Sequence, residues 1–355
     1  MKAGRMARIG LAGMLLLGLG AGQSHADDYW WSDPGVANGR AGDGVWDTTT
    51  LNWTSEGTTT GAETFFTWRS DQRARFEAGT VTVTLGDDIE FTDNGYMTIR
   101  TSCTITSPKD VDGNYLYSMN FNTGTLRDIN VINPSNAQMD VPLTGDDLYF
   151  SFRYGCDLTV AAPIFGATTA LRTDILSTTS VGGCDLYLTA TNTYGGAATI
   201  AGRVNTSVTN EFRVVLSGSL ANSKITLENA GVLQGLDADN RGLLNFNIAG
   251  DTADRIDIYT DSRLELADLN LKLNLSGLQT QTEYVLADYS FGGQYTGTAF
   301  ASVTGLDEGW SIEYAGTATN PDAIVLVIPE PGTLGLLALG ALGFWGWRRR
   351  WVAGA

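Results

Sequence analysis

Tyr154-Gly155-Cys156-Asp157-Leu158-Thr159-Val160-Ala161 returns twenty-eight residues further along the chain, as Gly182-Gly183-Cys184-Asp185-Leu186-Tyr187-Leu188-Thr189-Ala190. A period of this size matches one turn of a β-solenoid, in which each coil stacks on its neighbour. Such stacking would bring Asp157 next to Asp185, which costs free energy unless a cation or solvent lies between the two carboxylates. The two copies of the unit predict a parallel β-helix.

The composition and the alternation of apolar residues extend this β pattern to most of the chain. Charged residues make up only 17% of the 355 residues, which favours short strands joined by polar turns over a helical bundle. Val81, Val83 and Leu85 alternate with threonines and therefore share one face of a strand. The same pattern predicts strands at 255–259, 269–275, 284–287, 310–314 and 323–327. We expect an all-β chain with a solenoid over residues 103–250, whose exposed end is covered by a β-rich section at 251–328.

Five tryptophans mark the segment that precedes the solenoid, residues 27–102. They are Trp30, Trp31, Trp46, Trp53 and Trp68, and polar or glycine-containing turns separate them. Rows of exposed tryptophans can stack on sugar rings, but a solenoid also needs a cap that closes the end of its core. We favour the cap and expect the first coils of the solenoid to follow it within the same segment.

Residues 186–204 resemble the autotransporter-associated β-strand repeat. The shared order is a strand, Ala190-Thr191-Asn192-Thr193-Tyr194, a Gly-Gly pair, Thr199-Ile200, a glycine and a second strand. Trp46-Asp47, Asn52-Trp53 and Ala74-Arg75-Phe76 look like the block that often opens such repeats. The resemblance implies a right-handed parallel β-helix on the outside of the cell. Only one copy is clear, and no autotransporter barrel follows it.

The first twenty-six residues have the three parts of a secretory signal peptide. A basic region containing Lys2, Arg5 and Arg8 precedes an apolar stretch at 9–19, and small residues stand before the predicted cleavage after Ala26. The alternative is an uncleaved anchor, but the apolar stretch is shorter than the roughly 20 residues that a spanning helix needs. Cleavage by signal peptidase would remove the only histidine of the chain, His25. The exported protein could then have neither Ser-His-Asp or Cys-His catalysis nor a histidine-based metal site.

The C-terminus, residues 329–355, carries a second targeting segment. Pro329-Glu330-Pro331 leads into an apolar stretch at 332–347 and then into Arg348-Arg349-Arg350. The apolar stretch predicts a single transmembrane helix, and the arginines would hold its end on the cytoplasmic side of the inner membrane. This order resembles the PEP-CTERM sorting signal, which implies processing by exosortase with Pro329, Glu330 and Pro331 as recognition residues. The resemblance also implies a Gram-negative host with an exopolysaccharide or biofilm system. The alternative is a permanent single-span anchor.

The charge balance excludes nucleic acid as a partner. With 22 basic and 39 acidic residues the net charge is −17, and removing Lys2, Arg5, Arg8 and the three terminal arginines leaves 16 − 39 = −23 on the exported body. Such a surface repels polyanions. It could attract calcium, but we favour the interpretation that it keeps an exported protein soluble.

The three cysteines are candidates for a disulfide. Cys156 and Cys184 occupy equivalent positions of the repeat, so that stacking would place them about 4.8 Å apart. They either form a disulfide in the oxidising compartment or remain two buried thiols, and the sequence leaves both possibilities open. Three dispersed thiols, with Cys103 as the third, do not predict a metal site.

Acidic residues provide the candidates for chemistry. The clusters at 110–114 and 237–240 start like calcium loops but do not complete them, because Tyr115 replaces the turn glycine in one and Arg241 replaces a ligand in the other. Adjacent acids such as Asp146 and Asp147 would point to opposite faces of a strand. No cofactor motif is present.

We therefore expect a non-catalytic structural or adhesive protein at the cell surface or in an exopolysaccharide matrix, with glycan or neighbouring surface proteins as partners. The alternative is a carbohydrate-active enzyme, a polysaccharide lyase or glycosidase, on the same scaffold. Three or more charged side chains converging on one face of a parallel sheet would favour the enzyme. A uniform ladder of Thr, Asn and Ser would favour the structural role.

Overall fold

The computed structural model describes residues 28–329 except 33–41, 56–64, 78, 93–94, 123–127, 133–135, 154, 167–168, 177–182, 205–208, 222–223, 278 and 280. Within these residues the regular structure consists of β-strands, numbered β1 to β34 in chain order, and contains no helix. Most strands pair in parallel with the strand one coil away, which is the arrangement of a β-helix. The predicted all-β class is confirmed. The handedness of the helix stays a prediction.

The largest sheet, sheet A, runs along the whole molecule. It contains β1 (Asp28–Trp31), β3 (Trp53–Thr54), β4 (Phe65–Phe66), β5 (Arg73–Phe76), β8 (Tyr96–Ile99), β11 (Ile129–Ile132), β14 (Asp147–Arg153), β16 (Ala170–Ile175), β18 (Ala198–Ala201), β23 (Lys224–Glu228), β27 (Arg255–Ile258), β30 (Glu283–Asp288), β33 (Ser311–Glu313) and β34 (Ala323–Val327). Its middle strands are parallel, and among the described residues its antiparallel pairs lie toward its two ends.

Sheet B forms the second side of the β-helix. It contains β2 (Gly44–Trp46), β6 (Val81–Leu85), β9 (Cys103–Thr106), β12 (Asn136–Asp140), β15 (Asp157–Val160), β17 (Cys184–Leu188), β21 (Phe212–Leu216), β24 (Gly231–Gly235), β28 (Arg263–Glu265) and β31 (Gln294–Thr296). The chain passes from sheet A to sheet B within each coil, so that the strands of sheet B, and those of sheet A from β5 to β30, stack in chain order.

The third side is built from two shorter sheets. Sheet C contains β7 (Ile89–Thr92), β10 (Met119–Asn122) and β13 (Leu143–Gly145). Sheet D contains β22 (Ser219–Ala221), β25 (Gly242–Ala249), β26 (Thr252–Ala253), β29 (Leu269–Ser276) and β32 (Ser302–Thr304). Single bridges, Leu143 with Ile164 and Thr191 with Ser219, continue this side between the two sheets. A separate hairpin joins β19 (Arg203–Val204) to β20 (Thr209–Asn210).

The predicted repeat corresponds to one coil of this helix. Asp157 pairs with Asp185 and Leu158 with Leu186, in parallel and in the register that the sequence repeat predicts. Other coils have different lengths: the one that leads from Ile129 to its partner Phe150 is shorter, and the one from Lys224 to its partner Arg255 is longer. The strands stay in register because the corners between them absorb the difference in length.

The core is a set of apolar columns that run along the helix axis. Inward positions of successive strands in sheet B stack Leu158, Leu186, Val214, Leu233 and Leu264, and all five are fully buried. Burying each such side chain contributes about 1.5–3 kcal/mol as an upper estimate. In β6 the buried residues alternate with more exposed ones as predicted, and Val81, Val83 and Leu85 face the core. The stacked columns explain how a chain with few charges and short strands builds one continuous core.

Tryptophans close the N-terminal end of the core. Trp31, Trp46, Trp53 and Trp68 are at most 5% exposed. The ring of Trp46 lies 4.9 Å from that of Trp53 and 5.1 Å from that of Trp68. Above them β1 and β3 pair in an antiparallel manner, which ends the parallel stacking. This buried cluster is the arrangement expected of a cap and does not form an exposed sugar platform.

The solenoid extends further toward the C-terminus than the predicted boundary at residue 250. Parallel pairing continues through β27 to β32, and only β33 and β34 turn antiparallel on β30. The alternating segment 269–275, predicted to belong to a separate section, is β29 and pairs in parallel with β25 over its whole length. The sequence missed this because alternation reveals a strand but not the direction of its partner.

Candidate functional sites

The sorting segment begins at the last strand of the fold. Val327 ends β34 and pairs with Glu283, and the Ile328 N–H donates to the Thr282 carbonyl at 2.8 Å. Pro329 follows directly and is exposed. The other predicted processing residues, Ala26, Glu330, Pro331, Arg348, Arg349 and Arg350, lie outside the described residues, as does the predicted transmembrane helix. The chain therefore leaves the sheet where the Pro-Glu-Pro sequence starts.

The outer faces of sheets A and B differ in chemistry. On sheet B the first coils present threonine and glutamine in register, with Thr82 beside Thr104 and Gln138 next in the row. The hydroxyls of Thr84 and Thr106 lie 3.4 Å apart. Sheet A presents charged side chains already in its first coils, such as Arg73 and Arg75, whereas sheet B becomes charged only further along, where Asp185 pairs with Arg213. A threonine ladder is expected of a structural protein and converging charges of an enzyme, and the described residues contain both.

Charged side chains on sheet A surround a cleft of about 610 Å³. The cleft crosses four neighbouring strands, β14, β16, β18 and β23. Its lining includes Asp147, Tyr149, Arg172, Asp174, Thr199 and Glu228. These residues occupy the outward positions of strands whose alternate residues are buried in the core. The strand alternation therefore aims their side chains at the same external space.

Two contacts fix the geometry of the cleft. Arg172 Nε lies 3.0 Å from Asp147 Oδ2, and the Tyr149 hydroxyl donates to Asp174 Oδ2 at 3.1 Å. Partial burial raises the pKa of Asp147 above its ordinary value, and the charge of Arg172 opposes that rise. Within the part of the chain that the structure describes, the Glu228 side chain takes part in no hydrogen bond or ion pair. Glu228 is thus the uncommitted carboxylate of the cleft.

A small side chain separates two carboxylates of the cleft. Ser151 pairs with Asp174, and Ala201 pairs with Glu228. Arg172 pairs with Thr199, so the same register places Ala201 beside Asp174. Asp174 and Glu228 are then two strand spacings apart, about 9.6 Å between backbones. Ala201 forms a low floor between them, which is why the face is concave at this point.

Sequence reasoning missed this cleft. It considered Asp146 and Asp147 only as a pair of adjacent acids on one strand, whereas β14 begins at Asp147. The residues that meet across strands come from coils of unequal length, since Asp147 pairs with Ala170 but Leu171 with the more distant Ala198. The sequence does contain one signal: Arg172 and Asp174 alternate with Leu171 and Thr173, which predicts that the two charged side chains share one face of a strand. This alternation does not identify the neighbouring strands.

The cysteines of the repeat lie against each other inside the core. Cys156 and Cys184 precede the paired Asp157 and Asp185 by one residue and are at most 1% exposed. Both carry free thiols in the structure. The hydrogen bond between the two thiols and their burial raise the pKa of Cys156. Their adjacency is as predicted, and the disulfide itself stays a prediction.

One of the two stacked carboxylates of the repeat, that of Asp185, is paired with an arginine of the next coil. Arg213 pairs with Asp185 along sheet B and donates to both of its carboxylate oxygens, at 2.6 Å each. Burial, together with the charge of Asp185, raises the pKa of Asp157. Arg213 lies on the far side of Asp185 from Asp157, so the protein supplies a cation beside the acid pair and not between its two carboxylates.

In the two acidic turns that start like calcium loops, the first aspartate is hydrogen-bonded within its own turn. The Asp110 carboxylate accepts from the backbone of Asp112 and Asn114, and Asp237 accepts in the same way from Asp239 and Asn240. These bonds lower the pKa of both aspartates. Among the described residues no three acidic, cysteine or histidine side chains lie close enough to hold a metal ion.

The comparisons with known proteins identify the C-terminal segment. The pattern of one family, the PEP-CTERM protein-sorting motif, matches residues 327–350. No curated protein and no solved structure matches the chain. The chain thus carries the sorting motif of an exosortase substrate, whereas the resemblance of residues 186–204 to autotransporter-associated repeats stays a prediction. In the described part of the chain no helix has the length and apolarity to cross a bilayer.

Proposed function

We propose that this protein is exported, processed by exosortase at its Pro-Glu-Pro sequence, and then serves as a non-catalytic structural or adhesive component. Its place of action would be the cell surface or the exopolysaccharide matrix of a Gram-negative bacterium. The observation that carries the proposal is the match of residues 327–350 to the PEP-CTERM protein-sorting motif. Signal peptidase would act after Ala26 in the same export pathway, and the C-terminal helix would anchor the intermediate to the inner membrane.

The end of the fold suits such processing. The last strand, β34, is paired on both sides and ends at Val327, while Pro329 is already exposed. Cleavage at or after Pro329 would therefore remove no residue of the β-helix or of its antiparallel cover. Export would release a body whose two ends are both closed.

The outer surface supports a structural role. The in-register threonine and glutamine rows of sheet B offer hydroxyl and amide groups at a regular spacing of about 4.8 Å. Such rows can contact glycan or a neighbouring protein across the first coils of sheet B without any catalytic group. The charge of −23 calculated for the exported body keeps copies of it apart in solution.

Replacing the sorting residues tests the proposal in the native host. We expect Glu330→Ala to accumulate in the membrane fraction with its C-terminal tail intact, because exosortase would no longer process it. Glu308→Ala removes the same charge from an exposed position on the body and is the matched control. Release of Glu330→Ala from the membrane at the rate of the control would contradict processing at this sequence.

A second function, that of a carbohydrate-active enzyme, is favoured by the cleft of sheet A. Asp147, Asp174 and Glu228 converge there with Arg172, which is the pattern that the sequence analysis assigned to catalysis. The spacing of about 9.6 Å between the backbones of Asp174 and Glu228 is compatible with two carboxylates on opposite sides of a glycosidic bond. The appearance of new reducing or unsaturated ends in a panel of polysaccharides, lost in Glu228→Gln, would support the enzyme. If none of the polysaccharides is cleaved, the result would favour the structural role over the enzyme.

A further inference from the structure

We propose that the cleft on the outer face of sheet A binds a glycan that carries free amino groups. The cleft is the one considered above for a carbohydrate-active enzyme, and the inference names its ligand class whether or not the ligand is cleaved; sorting by exosortase requires no ligand at this place. The shape of the cleft, the way its side chains are held, and the uncommitted charge of Glu228 support this ligand class.

The shape of the cleft fits a ligand of several polar rings. Its volume of about 610 Å³ lies within the range of about 300–1,000 Å³ that is usual for small-molecule sites. The floor at Thr199 and Ala201 is made of small side chains, and Asp174 and Glu228 stand on either side of Ala201. Asn229 lies at the rim and is exposed. A ring seated on Ala201 would reach both carboxylates.

The polar side chains of the cleft are largely positioned before any ligand arrives. The ion pair of Arg172 with Asp147 and the hydrogen bond from Tyr149 to Asp174 hold four of them. Side chains that are already fixed lose less conformational entropy on binding. This favours a ligand that is recognised through many hydroxyl groups, each contributing little by itself.

The charge of the cleft selects a cationic ligand. The guanidinium of Arg172 is already paired with Asp147, and among the described residues no cation pairs with Glu228. The carboxylate of Glu228 would repel a polymer of uronic acids, whereas an ammonium group next to Glu228 would complete an ion pair. The described residues do not form a metal site that could take the place of an organic cation.

The backbone of the cleft favours a glycan over a basic peptide. An extended peptide is usually bound by adding a strand to a free sheet edge. The four strands of the cleft lie in the middle of sheet A, where each pairs with a neighbour on both sides. Only side chains are therefore offered to a ligand, and carboxylates, hydroxyls and a phenol suit the hydroxyl and amino groups of an amino sugar.

Calorimetric titration of the processed protein from the native host tests this inference. The probes are a hexamer of glucosamine, the same hexamer with every amine acetylated, and a hexamer of galacturonate. We expect the glucosamine hexamer to bind at the cleft, the acetylated hexamer to bind at least about fivefold more weakly, and the galacturonate hexamer not to bind, since only the first supplies ammonium groups. Equal binding of the first two probes, or tighter binding of galacturonate, would overturn the inference.

Variants of the cleft separate a built site from general surface charge. Glu228→Gln should weaken binding of the glucosamine hexamer about fivefold to tenfold, because it removes the uncommitted carboxylate. Asp239→Asn removes the same charge from an exposed turn after β24 and should leave binding unchanged. Equal losses in these two variants would overturn the inference by showing that net charge alone attracts the ligand.

A neutral substitution tests the shape of the site independently of its charge. Ala201→Leu fills the floor between Asp174 and Glu228 and should abolish binding, and a thermal melt checks that the variant is folded. If Ala201→Leu fails to fold, Glu228→Gln still decides the question. Retained affinity in a folded Ala201→Leu variant would overturn the placement of the ligand in this cleft. Cleavage of the hexamer by the unaltered protein would support the site and the enzymatic function together.

Discussion

Asp185 shows how single residues make the stacking of coils possible. Its carboxylate is 9% exposed and lies beside Asp157 of the preceding coil, an arrangement that is unfavourable by itself. Arg213 of the following coil binds both carboxylate oxygens and balances the charge. The repeat could therefore be predicted from the sequence. The arginine that balances its stacked carboxylates could not, because it belongs to a third coil that does not share the motif.

Removing the partner of Asp185 should destabilise the helix. In Arg213→Leu the buried carboxylate has no cation, so we expect the free energy of unfolding to fall by about 2–3 kcal/mol, below the cost of breaking a fully buried pair because the Arg213 side chain is 38% exposed. Chemical denaturation measures the change. The double variant Asp185→Leu with Arg213→Leu should recover part of the loss. A double variant that is less stable than Arg213→Leu alone would contradict this explanation.

The thiol pair leads to a second prediction at the residue scale. We predict that Cys156 and Cys184 form a disulfide after export, because their coils hold them in register and in contact. Closing a loop of this length would stabilise the protein by about 3–4 kcal/mol in the chain-entropy account. Cys103 is two coils away, since its row passes through Ala137 and then Leu158. Peptide mapping without reduction decides: a bond between Cys103 and either of the others would exclude the pairing.

At the scale of elements, a strand could be predicted from the sequence where its own residues alternate between apolar and polar. The alternation of Val81, Val83 and Leu85 gave β6 and its buried face. It failed where the answer depends on which strands are neighbours, as at β29 and at the cleft of sheet A. The coil between Ile129 and Phe150 is much shorter than the coil between Lys224 and Arg255, and no local pattern encodes that variation.

The tryptophan cap should contribute strongly to the stability of the fold. Trp46 is fully buried and contacts Trp53 and Trp68, so Trp46→Ala would leave a large cavity at the end of the core. We expect a loss of about 3–5 kcal/mol in the free energy of unfolding, measured by chemical denaturation.

Trp30→Ala is the matched control for the cap. Trp30 stands on the outer face of sheet A, where it stacks with Arg75 at 5.2 Å, and it is only partly buried. Its replacement should cost less than half as much. Equal losses in the two variants would show that Trp46 does not close the core in the way described.

At the scale of the whole molecule, the parts follow the order of export. A predicted signal peptide precedes a β-helix that is closed by tryptophans at one end and by β33 and β34 at the other, and the sorting motif begins within β34. The sequence revealed both targeting segments because each depends on local composition and order. It did not reveal the cleft, whose residues are brought together only by the stacking of coils.

Intact-mass analysis of the protein recovered from cells and medium of its native host tests the central claim of export and sorting. The account predicts a species that begins at Asp27 and ends near Pro331, found outside the inner membrane. A species that retains Arg348, Arg349 and Arg350 would be an ordinary tail-anchored protein and would contradict sorting into a surface layer or matrix.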